Sequence, residues 1–200
     1  MKRIAFCDYY REAARTLFQQ TGRTIFVGAF GLMVTACLFE EDSSVPRLTE
    51  DGFGAIDQTT KFELGHLERE NPDLRFVEMS FEEEGGFVTV IEGYRQDKLL
   101  IELFPDSSGQ RVGYLHALSA LIRGPDGERI GEGFPDEDFS TCIPGEEQFS
   151  GMVICRHKKN TRLSHLYEIP GHDGPDGVLP PEEFTDEAQL LLIVWRADEG

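Results

Sequence analysis

The stretch LRFVEMSFEEEGGFVTVIEGYRQDKLLIELFPDSSGQRVGYLHALSALI, residues 74–122, decides the fold. It contains four strand-like runs: Leu74–Glu82, Phe87–Tyr94, Lys98–Phe104 and Arg111–Ile122, the last the longest. Gly85-Gly86, Gln96-Asp97 and Ser107-Ser108-Gly109 separate them with turn residues. Connections this short join antiparallel neighbours, and no helical crossover is present to build a parallel sheet. The runs therefore predict an antiparallel meander. In the first run, Leu74, Phe76 and Ser80 fall opposite Val77, Met79 and Phe81 only after a slip of one residue, which predicts a β-bulge there or a run placed one residue off.

Upstream, Thr59-Thr60 is expected to cap a short helix running to about Glu70, and Asn71-Pro72 to end it. Downstream, Gly124–Phe134 is a turn-rich hairpin or loop, while Pro135–Ser140 and Pro181–Phe184 carry helical turns. Gly151–Arg156, Leu163–Ile169 and Leu190–Trp195 are further strands. The expected fold class is α+β: an antiparallel sheet of about seven strands with a few short helices, forming a single domain over residues 50–200.

The 200 residues are 40% hydrophobic, with 15 Phe, which suits one domain with a real core. Against 37 Asp+Glu stand 19 Lys+Arg, a formal net charge of −18. A field of that sign repels phosphate polyanions, so nucleic-acid binding is excluded, and anionic membrane surfaces are disfavoured. Abundant carboxylate with few Lys also suits a chain that stays hydrated in high salt.

Ile25–Ala36 (IFVGAFGLMVTA) carries no charge and follows Arg23. Twelve apolar residues are too few for a membrane-spanning helix, which needs about 20, but suit the apolar region of a signal peptide. Val34-Thr35-Ala36-Cys37 resembles a lipobox, after which Glu40-Glu41-Asp42 turns the chain acidic. Residues 1–36 are thus expected to be a lipoprotein signal peptide, Cys37 the lipidated residue, and 37–49 an acidic tether. The 24 residues before the apolar run are long for such a segment, which points to a start nearer Leu17. The opposing reading makes Ile25–Phe39 a buried element of a cytosolic domain. Cleavage would remove Cys7 and leave Cys142 and Cys155 as a pair in a compartment where disulfides persist; two reduced thiols are the alternative.

Several landmarks then follow in order: Arg129-Ile130-Gly131 with Phe134 and Asp136, Phe139-Ser-Thr-Cys142, Val153-Ile154-Cys155, Leu166-Tyr-Glu-Ile-Pro-Gly171, Gly174–Pro180 and Ile193-Val-Trp-Arg196. Together with Leu32–Cys37 they resemble the RpoE-regulated lipoprotein family (YfeY-like) of gammaproteobacteria. The resemblance implies a periplasm-facing envelope lipoprotein linked to envelope stress, with a cysteine pair at these positions and no assigned catalytic residues. Leu38 at position +2, not Asp, implies the outer membrane.

Chemistry-bearing motifs are few. His66, His116, His157, His165 and His172 form no HExxH, and Ser164-His165 lacks a GxSxG elbow. His116 and His165 are expected on sheet positions. His172–Gly177 offers oxygen ligands for calcium, yet turn geometry alone accounts for its Gly, Pro and Asp. The glycines of Gly124–Gly133 sit among acids and precede no helix, which rejects a phosphate cradle. Neither metal nor cofactor is expected beyond the lipid on Cys37.

The expected function is that of a non-enzymatic, lipid-anchored envelope module that binds a periplasmic protein or cell-wall component. The candidate surface is Gly131, Phe134, Asp136, Asp173, Asp176 and Trp195. The rivals are a cytosolic acidic module that binds a basic protein or mimics nucleic acid, and a periplasmic hydrolase or calcium-binding protein.

Overall fold

Turn chemistry and strand alternation fix the local elements of the computed structural model, which describes residues 47–83, 86–134, 142–146, 149–157, 159–170, 177–181 and 186–197. The chain divides between Asp42 and Ser43, and every described residue lies in the second unit. The elements are β1 (Leu48–Thr49), β2 (Gly52–Phe53), α1 (Leu64–Glu70), β3 (Arg75–Glu83), β4 (Gly86–Arg95), β5 (Lys98–Pro105), β6 (Val112–Ala117), β7 (Cys142–Pro144), β8 (Met152–Arg156), β9 (Leu163–Glu168) and β10 (Gln189–Arg196).

Beside the two-stranded β1–β2 ladder, β3 to β10 form one eight-stranded sheet in the order β3-β4-β5-β6-β10-β9-β8-β7. Every ladder within it is antiparallel. The expected meander is its first half. A second meander, β7 to β10, comes back so that the two final strands, β6 and β10, pair at the centre. Between β4 and β5, Gln96 and Asp97 both take positive φ, 49° and 62°, the backbone of a two-residue type I′ turn.

Four expectations need correction. The bulge does not lie in β3: its register with β4 runs unbroken from Arg75↔Tyr94 to Glu83↔Gly86. The irregularities are at Gly93/Tyr94, Phe104/Pro105 and Leu190/Leu192. Arg111–Ile122 is not the longest strand, because β6 stops at Ala117 and Ser119–Ile122 turns away. Thr59-Thr60 does not cap the helix. The Asp57 carboxylate accepts the Thr59 N–H and Oγ1–H at 2.7 Å each, while the Thr60 hydroxyl accepts the Asp57 N–H. The helix starts later, from Glu63, and ends at Asn71 as expected. Finally, the domain begins before residue 50, because Leu48 is wholly buried and Leu48↔Phe53 closes the small ladder. The expected helical turns at 135–140 and 181–184, Pro181 apart, and the signal peptide with Cys37, lie outside the described residues.

One face of the sheet makes the core. Phe76, Ile91, Ile101, Leu103, Leu115, Ile193 and Trp195 alternate onto it and are at most a few per cent exposed. Leu48, Phe53, Ile56 and Leu67 join the same cluster, so β1, β2 and α1 cover this face. Burying such side chains contributes about 1.5–3 kcal/mol each. No helix among the described residues is long and apolar enough to cross a membrane.

Candidate functional site

The loop after β6 and the turns flanking β8 and β9 bring two acid–histidine pairs together. Gly124 N–H donates to the Glu128 carbonyl, closing a tight turn whose tip holds Asp126. His157 follows β8 and lies 3.1 Å from Asp126 through Nε2, across 31 residues of sequence. The Lys159 N–H donates to His157 Nδ1 at 3.3 Å, so Nδ1 carries the lone pair and Nε2 the proton given to Asp126. The Lys159 ammonium sits 3.3 Å from the same carboxylate. Its hydrogen bond is the largest influence holding the Asp126 carboxyl below the ordinary carboxylate range, and His157 adds to it.

The second pair is deeper. His165, on β9, meets Glu128 at 2.9 Å, and the other Glu128 oxygen accepts the Asp126 N–H at 2.9 Å. Burial pushes the Glu128 carboxyl up, yet the His165 and amide hydrogen bonds outweigh it and hold the group low. Glu128 lies against Gly124, where a Cβ would collide with its carboxylate. The rings of His157 and His165 are 5.6 Å apart, and His165 leads on to Tyr167 and then Phe134.

An open cleft of about 280 Å³ sits over the first pair, lined by Glu50, Asp51, Asp126, His157, Lys159 and Asn160 among others. Most of its lining is already engaged. Thr49 Oγ1 donates to the Gly52 carbonyl, Asn160 Oδ1 accepts the Arg162 N–H, and the Glu50 carbonyl accepts from Trp195. What faces outward is carboxylate around one ammonium. Among the described residues no group of three or more His, Cys, Asp and Glu is arranged to hold a metal ion.

A third histidine lies on the opposite sheet face. Glu92, Glu102 and His116 stand in register across β4, β5 and β6, all buried. Tyr94 donates to Glu92, and His116 Nδ1 approaches Glu102 at 3.6 Å without making a hydrogen bond.

Of the expected surface residues, Gly131 is exposed at φ 90°, but its N–H donates to the Leu190 carbonyl at 2.7 Å. Phe134 is half-buried against Tyr167. Trp195 must be withdrawn: it is 0% exposed, with Nε1–H donating to the Glu50 carbonyl at 2.9 Å. Asp136, Asp173 and Asp176 lie outside the described residues, as does most of the His172–Gly177 loop. Cys142 and Cys155 are directly opposed across β7 and β8 and are joined by a disulfide. Asp126 and Glu128 escaped sequence reasoning because Gly-Pro-Asp-Gly signals only a turn. Their one signal was an acid two residues from another in a tight loop.

A family model described as "Protein of unknown function (DUF1131)" matches residues 37–197. The chain belongs to the DUF1131 family. The match takes in every strand among the described residues and the acid–histidine cluster. Among solved structures, the crystal structure of the uncharacterized protein yfeY from Escherichia coli is similar, with a TM-score of 0.62 and 19% identity over 75% of this chain and 99% of that one. At that identity the likeness is one of fold. No curated protein matches the chain.

Proposed function

We propose that this DUF1131 protein is a lipid-anchored, non-enzymatic binding module of the cell envelope, tethered through Cys37 at the outer membrane and facing the periplasm. The Cys142–Cys155 disulfide carries the reading of compartment, since such bonds persist where the environment is oxidising. The family match opening at residue 37 supports a boundary at that cysteine. For a binding role, the support is the chemistry of the cleft. Both ring nitrogens of His157 are occupied by partners within the fold, which leaves that imidazole no nitrogen for proton transfer to a substrate. The exposed carboxylates of Glu50 and Asp51, beside an Asp126 already shared by His157 and Lys159, suit a partner that presents an amine or guanidinium group, in keeping with the net charge of −18.

The test is fatty-acid labelling of the wild type beside Cys37→Ala in cells, with the mature mass read by mass spectrometry. Label on the wild type alone, on a chain starting at Cys37, is the expected result. An unlabelled chain with an uncleaved N-terminus would overturn it and favour a cytosolic acidic module.

A further inference from the structure

The cleft over Asp126 holds a polar group that the fold leaves unused. Asn160 lines it and is 7% exposed. Its Oδ1 accepts the Arg162 N–H at 2.9 Å, which fixes the orientation of the amide and makes Nδ2 the remaining end. Among the described residues Nδ2 has no hydrogen-bond partner. A donor this buried is costly to leave unpaired, and an acceptor oxygen brought by a ligand would satisfy it.

The charges around it divide the cleft into two walls. Beside Asn160, the exposed Lys159 ammonium reaches both Asp126 oxygens, at 3.3 and 3.4 Å, and keeps a further donor for a ligand. Lys159 and Asn160 together make a wall of donors. The other wall is the β1–β2 turn, where Glu50 and Asp51 are exposed carboxylates. That turn is seated on the core, because the Glu50 carbonyl accepts the Trp195 Nε1–H.

Taking this cleft as the binding site, as above, we propose that it receives a small zwitterion of the amino-acid or short-peptide class. The ligand carboxylate meets Asn160 Nδ2 and the Lys159 ammonium, and the ligand ammonium meets Glu50 and Asp51. A purely cationic ligand would leave Nδ2 unpaired and set like charge against Lys159; a purely anionic one would face Glu50 and Asp51. The cleft, about 280 Å³, falls just under the common range of small-molecule pockets, about 300–1,000 Å³, which suits one amino acid or the end of a short peptide. Both walls are open to solvent, so affinity should fall as salt rises.

The test is titration of the full-length, ¹⁵N-labelled, detergent-extracted chain with L-alanyl-L-alanine. Trp195 is the single tryptophan, so its indole N–H gives one resonance, and through Glu50 it reports on the cleft. The dipeptide should shift that resonance saturably. Its C-terminal amide, which lacks the carboxylate, and its N-acetyl derivative, which lacks the ammonium, should each bind about tenfold more weakly or worse. Asn160→Asp keeps an acceptor for Arg162 but removes the donor, and should weaken the dipeptide about tenfold without weakening its amide. Lys159→Met should act in the same direction. An unshifted indole resonance before titration checks that each variant is folded. Free alanine binding as tightly as the dipeptide assigns a free amino acid, and binding of the dipeptide alone assigns a peptide end. Equal affinity for the dipeptide and its amide, or unchanged affinity in both variants, would overturn the proposal and leave a purely cationic partner. Failure of the dipeptide and the amide alike would remove the cleft itself as the binding site.

Discussion

Glu128 and His165, 37 residues apart in sequence, meet at 2.9 Å, and the same carboxylate holds the Asp126 N–H. One side chain thus ties the 124–128 turn to β9 and sets the position of Asp126, which in turn orients His157. Gly124 is required beside it, because any Cβ there would displace the carboxylate.

Both carboxyls in this cluster are held below their ordinary values, Asp126 chiefly by Lys159 and Glu128 by hydrogen bonds that outweigh its burial. A depressed folded-state value contributes stability that is present above the unfolded-state value and lost as pH falls through the folded one. Urea midpoints should therefore decline below about pH 4.3. Glu128→Gln should flatten that decline, and Asp126→Asn should do so less, because Asp126 is the more exposed. At neutral pH, Glu128→Ala should cost about 1.5–3 kcal/mol, as it strips a charged partner from His165. Gly124→Ala should reproduce part of that loss. An acid limb unchanged in Glu128→Gln would count against the cluster.

Trp195, the single tryptophan, is buried at the seam between the central strand and the 47–53 segment. Its emission should be blue-shifted in the native protein and move to the red on unfolding. Trp195→Phe should cost about 1 kcal/mol or somewhat more through the lost hydrogen bond to Glu50, and Trp195→Ala about 3–5 kcal/mol. Water-like emission from the native chain would contradict this placement.

The Cys142–Cys155 bond closes a 13-residue separation between β7 and β8. In the chain-entropy account, a loop of this size contributes about 3 kcal/mol. The double variant Cys142→Ser/Cys155→Ser should lose roughly that much, a fall of about 6–12 °C in Tm. Amide exchange at Ile143 should quicken most, since β7 has no other neighbour among the described residues. An unchanged Tm would show that β7 holds without the bond.

What the sequence determined by itself was local. Gln96-Asp97 and Ser107–Gly109 set their turns, and alternating apolar residues set β4 and β5, because both signals act over a few bonds. The overlong β6 arose where alternation continues past the point at which pairing ends. The misplaced bulge arose because β3 is apolar on both faces, Phe76 on one and Val77, Met79 and Phe81 on the other, in an unbroken register.

Only the tertiary structure decided the rest. That β10 pairs with β6, that Leu48 seats in the core, that Trp195 is sealed and that Asp126 finds His157 all depend on segments 31 to 145 residues apart. No local pattern encodes such contacts. They are selected by which arrangement buries the apolar face of the sheet while pairing its backbone donors and acceptors.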